Sequence, residues 1–178
     1  MSAPLVIETS RLRLRPVRES DLDDLARLNA DPRVMRYVGS GTPMNREQSW
    51  RQIAVVMGHQ QMRGYSILAI EERATGAFLG RSGPWFPLGW PMLEVGWVVD
   101  PSRQGEGIAT EAGRASLDWC FQQPGVEQVC SLIHPENAAS ARVAAKLGGK
   151  LERSIDDGSF STAVDLWVYR GPATVLSD

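Results

Sequence analysis

Hydrophobic and polar residues alternate near the start of the chain. Leu12 and Leu14 occupy every second position, which predicts a strand that ends at Pro16. Three arginines fill the positions beside them, and we expect these on the solvent-facing side of the strand: Arg11, Arg13 and Arg15. The pattern therefore predicts a first strand with one apolar face and one charged face.

Two stretches with helical spacing follow the first strand. Ser20 can cap the first helix, which is predicted to end near Asp31 and Pro32. Asn45 can cap the second helix, after a loop over residues 39–43. The apolar residues that recur at helical spacing in this second helix are Trp50, Ile53, Ala54 and Met57.

From Tyr65 the pattern becomes that of strands. Residues 65–71 and 77–83 are predicted strands, and a turn at 73–76 joins them into an antiparallel hairpin. Residues 84–91 are rich in Gly, Pro and Trp, which predicts a loop. A β-prone run over residues 93–99 follows and ends at Asp100 and Pro101.

The last part of the chain alternates helices with strands. We predict helices over 108–122 and 137–147, and strands over 128–134 and 163–169. The resulting order, β-α-α-β-β-β-α-β-α-β, places antiparallel strands first and a strand–helix–strand unit that can be parallel afterwards. This order predicts an α+β fold with a mixed sheet, in a single domain over residues 1–178.

Composition and charge narrow the classes of function. A net charge of −2 gives no electrostatic footprint for nucleic acid. No apolar run reaches membrane-spanning length and the first ten residues lack a signal-peptide pattern, so we expect a cytoplasmic protein without membrane attachment. Cys120 and Cys130 have neither disulfide nor metal-ligand spacing, and we expect both to be buried structural thiols.

The sharpest chemical signal is a pair of glycines between the strand at 93–99 and the helix at 108–122. Gly105 and Gly107 let the backbone approach a ligand, and the following helix N-terminus leaves N–H groups without intrahelical partners. Such a segment predicts an anion site suited to a pyrophosphate. A Rossmann fingerprint would need Gly at Thr110, and a P-loop would need Gly-Lys-Ser/Thr. A plain turn into the helix is the alternative for this segment taken alone.

Several blocks of the chain resemble the GNAT acetyltransferase superfamily, and in particular its RimJ/RimL-type branch. Residues 104–109, QGEGIA, match the superfamily signature Gln/Arg-x-x-Gly-x-Gly/Ala. Residues 7–16, 94–112 and 134–148 contain segments similar to that branch's opening, central and last cofactor-contacting blocks, in the correct order. The resemblance implies a GNAT fold, in which a mixed, mostly antiparallel twisted sheet with a splayed cofactor strand is flanked by helices. It also implies an N-acetyltransferase that uses acetyl-CoA and no metal.

The resemblance further implies which residues hold acetyl-CoA. The backbone of the splayed strand would pair with the pantetheine arm, and N–H groups of the glycine segment would hold the pyrophosphate. Asn137 would contact the pantetheine from the opposite side, although an ordinary helix N-terminus is the alternative for this residue. The cofactor-binding residues expected on this basis are Trp97, Val98, Val99, Gln104, Gly105, Glu106, Gly107, Ile108, Ala109, Thr110, Asn137 and Ser140.

The catalytic groups are less tightly specified. Glu94 is the candidate general base because it lies on the strand that would reach the acetyl group. The usual GNAT glutamate aligns one residue earlier, at Leu93, and a shift of one residue reverses the facing of a strand. A structural role for Glu94 therefore stays open, with His134 or a water chain as alternative bases. Many superfamily members carry a tyrosine where this chain has Ala144, so the resemblance leaves Ser140 to meet the departing thiolate.

Two further positions bear on cofactor binding. The thioester oxygen would need a backbone N–H from the splayed strand, which we assign to Val98 or Val99. Glu106 stands where the family often has a basic residue, and we expect its side chain to point to solvent while the loop binds through its main chain.

The acceptor amine is the least constrained part. The family branch points to a protein N-terminal amine, and a small-molecule amine such as an antibiotic or polyamine is the alternative. A non-catalytic module that binds acyl-CoA for regulation is a further alternative. We expect the acceptor site to involve the first two helices, residues 84–91 and residues 154–161. Trp85, Phe86 and Trp90 either line the substrate or form a lid or a homodimer contact.

Overall fold

The structure, a computed structural model, describes residues 4–171 and contains one sheet of eight strands with helices packed on both faces. The strands are β1 Ile7–Glu8, β2 Leu12–Pro16, β3 Leu68–Glu72, β4 Phe78–Trp85, β5 Glu94–Val99, β6 Gln128–Ile133, β7 Lys150–Ile155 and β8 Val164–Arg170. The helices are α1 Leu22–Ala30, α2 Pro32–Met35, α3 Arg46–Arg63, α4 Ile108–Phe121 and α5 Ala138–Lys146.

The sheet follows the order β1-β2-β3-β4-β5-β6-β8-β7. All neighbouring strands are antiparallel except β5 and β6, which are parallel and are connected through α4. The predicted α+β plan with a mixed, mostly antiparallel sheet is therefore confirmed, as are the β3–β4 hairpin and the parallel strand–helix–strand unit.

Three elements were not predicted from the sequence. β1 contains two residues, too few to show a period of two. β7 is an exposed edge strand with the charged residues Lys150, Glu152 and Arg153, so it lacks an apolar alternation. α2 starts at Pro32 because proline suits the first turn of a helix, and the Asp31 carboxylate caps it by accepting from the Arg33 N–H. The predicted end of the preceding helix near this Asp-Pro pair is confirmed, since α1 ends at Ala30.

The expectation of a solvated arginine face is wrong for Arg15. Its guanidinium is buried, donates two hydrogen bonds of 2.8 Å to the Asp21 carboxylate, and donates a third of 2.6 Å to Glu71. The turn before α1 covers this face of β2 and supplies Asp21. That carboxylate also accepts from the Arg18 N–H. The N-cap residue of α1 is Asp21 and not the predicted Ser20, because the helix begins at Leu22, and the Asp21 side chain makes no capping hydrogen bond to it.

The apolar face predicted for α3 is also wrong in part. Asn45 caps the helix as predicted, in a reciprocal capping box with Gln48. However, Trp50 and Met57 are each 46% exposed. The side of α3 that packs on the sheet is a mixed one, made of Ser49, Ile53, Val56 and His59.

The two faces of β5 meet different layers of the molecule. Val95 and Val99 are buried in clusters with α4 residues, including Leu117 and Ala112. Successive side chains of a strand alternate between faces, so Glu94, Gly96 and Val98 point to the opposite side, where α1 and α3 pack. Both cysteines are fully buried, as expected, and burial raises the pKa of the Cys120 thiol to about 12. Within residues 4–171, no helix is long and apolar enough to cross a membrane.

Candidate active site

β5 and β6 separate soon after they meet. Their register contains one pair, Glu94 with Cys130, and the Cys130 N–H donates to the Leu93 carbonyl at 2.8 Å. The Ser131 hydroxyl then donates to the Val95 carbonyl at 2.6 Å. In the part of the chain that the structure describes, no further pairing joins the two strands, so the C-terminal half of β5 has one open edge toward β6.

The register of β5 determines which backbone groups point to this open edge. The carbonyls of Leu93 and Val95 face β6, whereas the Gly96 carbonyl accepts from the Ser82 hydroxyl of β4 at 2.8 Å. Backbone groups alternate in direction along a strand, and the β4–β5 register is regular. The amides of Trp97 and Val99 therefore face the opening, whereas the backbone of Val98 faces β4.

A cavity of about 510 Å³ adjoins this opening. Strands β4, β5 and β6, the start of α5, and residues of α3 and of the loop after α2 enclose it. Its polar and aromatic lining consists of Tyr37, Gln52, Arg81, Trp85, Trp90, Glu94, Trp97, Ser131, His134, Asn137 and Ser140. The volume lies within the range of ordinary small-molecule sites.

Glu94 lies in the wall of this cavity. The neighbouring Leu93 packs into the apolar core on the other face of the sheet, so the strand directs Glu94, and not Leu93, toward the cavity. The Trp90 indole N–H donates to its carboxylate at 2.5 Å. Burial raises the pKa of Glu94 to about 7, against the opposing hydrogen bonds from Trp90 and the Leu132 amide. A carboxyl with this pKa can exchange a proton near neutral pH.

His134 lies at the junction of this cavity with a second one of about 340 Å³. Its ring stands 5.0 Å from that of Tyr37, and its Nδ1 accepts from the Glu136 N–H at 3.2 Å. The second cavity is also lined by residues 159–162, part of the segment predicted to contribute to acceptor binding. Phe160 contacts Trp90 edge to face, with ring centroids 5.4 Å apart. This segment therefore adjoins Trp90, which donates a hydrogen bond to Glu94.

The glycine segment lies beyond the C-terminal end of β5, at the start of α4. Gly105 and Gly107 have φ values of 85° and 82°, which L side chains rarely adopt. Gly107 is the N-cap of α4 and offers no side-chain hydrogen bond, so the first N–H groups of the helix are left to an external acceptor. This arrangement fits a pyrophosphate.

Two arginines hold the glycine segment in place. Arg11 donates to the Glu106 carbonyl at 3.1 Å and to the Glu111 carboxylate at 2.7 Å. Arg103 donates to the Glu106 carboxylate at 2.9 Å and to Glu72 at 2.8 Å. The Arg103 hydrogen bonds lower the pKa of Glu106. The Glu106 carboxylate is therefore paired with a guanidinium, which offsets its repulsion of an incoming anion.

Two predicted residues make their own local contacts. The Gln104 side chain donates to the Val99 carbonyl at 3.3 Å, which ties the glycine segment to the end of β5. Asn137 caps α5, with its Oδ1 accepting from the Ser140 N–H at 3.1 Å. Both Asn137 and Ser140 also line the large cavity, so the helix-cap role and a ligand role are compatible.

Sequence reasoning missed Arg81 and His59. His59 lies under Trp85, with ring centroids 4.3 Å apart; its Nε2 accepts from the Phe86 N–H at 3.3 Å, and its Nδ1 contacts the Tyr65 carbonyl at 2.9 Å. These contacts fix Trp85 in the cavity wall. The sequence marks Arg81 only as a single charged residue inside a predicted strand. That pattern does not indicate whether the side chain is buried or exposed.

Comparisons with known proteins identify the relatives of this chain. Residues 11–150 match the family model described as an acetyltransferase (GNAT) domain. The protein YkkB of Bacillus subtilis strain 168 is 32% identical over 160 residues, which cover 87% of this chain and 91% of YkkB.

Two solved structures share the fold over nearly the whole chain. The acetyltransferase from Agrobacterium tumefaciens strain C58 has a TM-score of 0.82 at 27% identity and covers 96% of both chains. RimL, a ribosomal L7/L12 α-N-protein acetyltransferase solved in complex with coenzyme A, has a TM-score of 0.77 at 18% identity. That match covers 94% of this chain and 98% of RimL. At this identity the RimL match bears on the fold alone.

Proposed function

The chain belongs to the GNAT acetyltransferase family, and we propose that it transfers the acetyl group of acetyl-CoA to a primary amine in the cavity beside β5. The observation that carries the proposal is the placement of one carboxyl, Glu94, in the wall of a cavity that adjoins the open edge of β5. The alternative of a non-catalytic acyl-CoA-binding module does not require an ionisable group with a near-neutral pKa at this position.

Acetyl-CoA supplies the activated acetyl thioester, and backbone groups of this chain can bind it. The amides of Trp97 and Val99 face the opening and can pair with the pantetheine arm, and one of them can stabilise charge on the thioester oxygen. The direction of the Val98 backbone favours Val99 over Val98 for that second role. The N–H groups at the start of α4 can hold the pyrophosphate.

We assign the general base to Glu94. An amine must lose a proton to react, and the raised pKa of Glu94, about 7, gives its carboxylate more proton affinity than an ordinary glutamate has. The Trp90 N–H orients the carboxylate, which can accept a proton directly or through water. His134 is the second candidate, since its ring also lines the cavity.

Ser140 is the proposed partner of the departing thiolate. Asn137 holds the Ser140 amide at the start of α5, and the Ser140 hydroxyl has no hydrogen-bond partner within residues 4–171. A hydroxyl can donate a hydrogen bond to a thiolate or relay a proton from water. The remaining amide hydrogens of Asn137 are suited to the pantetheine carbonyls.

The nature of the acceptor stays a prediction. Resemblance to the RimJ/RimL branch supports a protein N-terminal amine, whereas a cavity of about 510 Å³ with aromatic walls supports a small amine. A cytoplasmic location, a single domain over residues 1–178 and a homodimer also stay predictions.

Release of free thiol from acetyl-CoA tests the proposed function. The purified chain is incubated with acetyl-CoA and a panel of N-terminal peptides, polyamines, aminoglycosides and amino acids. We expect amine-dependent thiol release with at least one class, together with thermal stabilisation by acetyl-CoA and CoA but not by NAD. Stabilisation without amine-dependent release from any class would favour the regulatory module, and no stabilisation by either CoA species would contradict the proposal.

A further inference from the structure

Arg81 of β4 is a buried arginine that has no partner among the residues that the structure describes. The residue is 6% exposed, yet its guanidinium forms no hydrogen bond or ion pair with any residue in the range 4–171. Arg15 is buried to the same extent, also at 6%, but is bound by the carboxylates of Asp21 and Glu71. The charge of Arg15 is therefore compensated by carboxylates, whereas that of Arg81 is not.

Leaving a buried guanidinium unpaired is costly. A buried charge is normally compensated by an opposite charge and hydrogen bonds, because burial removes its hydration. Burial lowers the pKa of Arg81 to about 10, and no carboxylate in the described part of the chain opposes this effect. The side chain nevertheless lines the large cavity, a space that a ligand can occupy.

The sheet register relates Arg81 to Glu94. Arg81 is opposite Val98, and Trp85 is opposite Glu94, so Arg81 and Glu94 point into the same face of the sheet. Four residue steps along β5 separate the two positions, roughly 13 Å of backbone. Glu94 is the one acidic side chain among the cavity-lining residues, so the end near Arg81 has a cation without an anion.

We propose that Arg81 binds a carboxylate of the acceptor, so that the substrate is a small amine that also bears a carboxylate, as an amino acid does. The inference rests on the proposed acetyltransferase function. A planar guanidinium binds a carboxylate through two parallel N–H bonds, which fixes the orientation of the substrate as well as its position. Arg81 and Glu94 line the same cavity, so a substrate whose carboxylate is bound by Arg81 has its amine in the cavity that contains the proposed base.

The substrate side of the test compares matched probes. L-phenylalanine, L-methionine and L-lysine are assayed as acceptors beside their carboxamides and beside phenethylamine, which lacks the carboxylate. An aminoalkylphosphonate is assayed as well, to distinguish a site for a carboxylate from a site for a phosphate-like anion. We expect kcat/KM for at least one amino acid to exceed that of its carboxamide by about 100-fold or more, because the amide leaves the buried guanidinium unpaired. Equal kcat/KM for acid and amide would overturn the inference, and a preference for the phosphonate would replace the carboxylate by a phosphate-like anion.

The protein side of the test uses Arg81→Met and Arg81→Lys. Arg81→Met is expected to abolish the preference for acid over amide, and Arg81→Lys to reduce it because the ammonium keeps the charge but not the two parallel N–H bonds. The Kd for acetyl-CoA is expected to stay unchanged in both, and an equal loss with acid and amide would overturn the assignment. Arg51→Met, at an exposed arginine of α3, is the matched control and is expected to retain the preference. Arg81→Met also removes an unpaired buried charge and is expected to raise Tm, which separates lost recognition from misfolding.

Calorimetry in the presence of CoA separates this inference from the proposed function. We expect the amino acids to bind and their carboxamides to bind at least tenfold more weakly, whether or not turnover is seen. Turnover without carboxylate-dependent binding would overturn the role of Arg81 alone. Carboxylate-dependent binding without turnover of any amine would overturn the acetyltransferase proposal and leave the role of Arg81 supported.

Discussion

Replacing Glu94 by Gln tests the proposed base and its environment at once. The substitution keeps the size of the side chain and an oxygen that can accept from the Trp90 N–H, but removes the ionisable carboxyl. The folded-state pKa is raised from 4.5 to about 7, so the folded protein retains the proton where the unfolded chain has lost it. The wild-type protein therefore loses stability as the pH rises from 4.5 to about 7, and Glu94→Gln should not.

The magnitude follows from linkage. At about 1.4 kcal/mol for each pH unit between the two pKa values, full ionisation of Glu94 costs about 3 kcal/mol of folding free energy. Urea unfolding at pH 5 and pH 8.5 measures the effect. We expect Glu94→Gln to be more stable than wild type by about 2–3 kcal/mol at pH 8.5 and to differ much less at pH 5. The exposed carboxylate of Glu47 provides a control, since Glu47→Gln should leave the pH dependence unchanged.

Activity should change in the opposite direction. Without a carboxylate to take the amine proton, kcat/KM is expected to fall by about 100-fold or more. In the wild type, the acidic limb of the kcat/KM profile should follow ionisation of Glu94 near pH 7, with activity rising as the carboxylate forms. Full activity in Glu94→Gln would refute the assignment of the base. An unchanged stability difference between pH 5 and pH 8.5 would refute the account of its pKa.

Three further substitutions test the cofactor side. Ser140→Ala should lower kcat by about tenfold with little change in the Kd of acetyl-CoA, and an unchanged kcat would remove Ser140 from the mechanism. Arg11→Gln should weaken CoA binding, measured by calorimetry, because Arg11 holds the Glu106 carbonyl; an unchanged Kd would show that the glycine segment is held without it. Glu106→Gln should leave kcat intact and modestly tighten CoA binding by removing one of the two carboxylate partners of Arg103, and a large loss of activity would contradict a main-chain role for the segment.

The sequence was sufficient for the elements whose signal is local. The α3 cap at Asn45, the β3–β4 hairpin and the glycines before α4 each depend on residues a few positions apart. The sequence predicts that neighbouring side chains of β5 alternate between the two faces of the sheet. The burial of Leu93 in the core then establishes which way Glu94 faces.

Long-range contacts explain what the sequence did not reveal. Arg15 lies in a strand that alternates arginine with leucine, and Arg81 lies in a strand of small and apolar residues, but neither local pattern reveals that the arginine is buried. Asp21 and Glu71 pair with the first, whereas the second points into a cavity formed by distant elements. The edge position of β7 likewise follows from its pairing with β8, which a charged stretch does not reveal.

Transfer of an isotope-labelled acetyl group tests the central claim most directly. Labelled acetyl-CoA is incubated with the wild-type chain or with Glu94→Gln and the amine panel, and the products are analysed by mass spectrometry. The account predicts a labelled acetyl group on the nitrogen of an acceptor amine, formed rapidly by the wild type and at a greatly reduced rate by Glu94→Gln. Labelled acetate without any labelled amine, or equal rates for the two proteins, would contradict it.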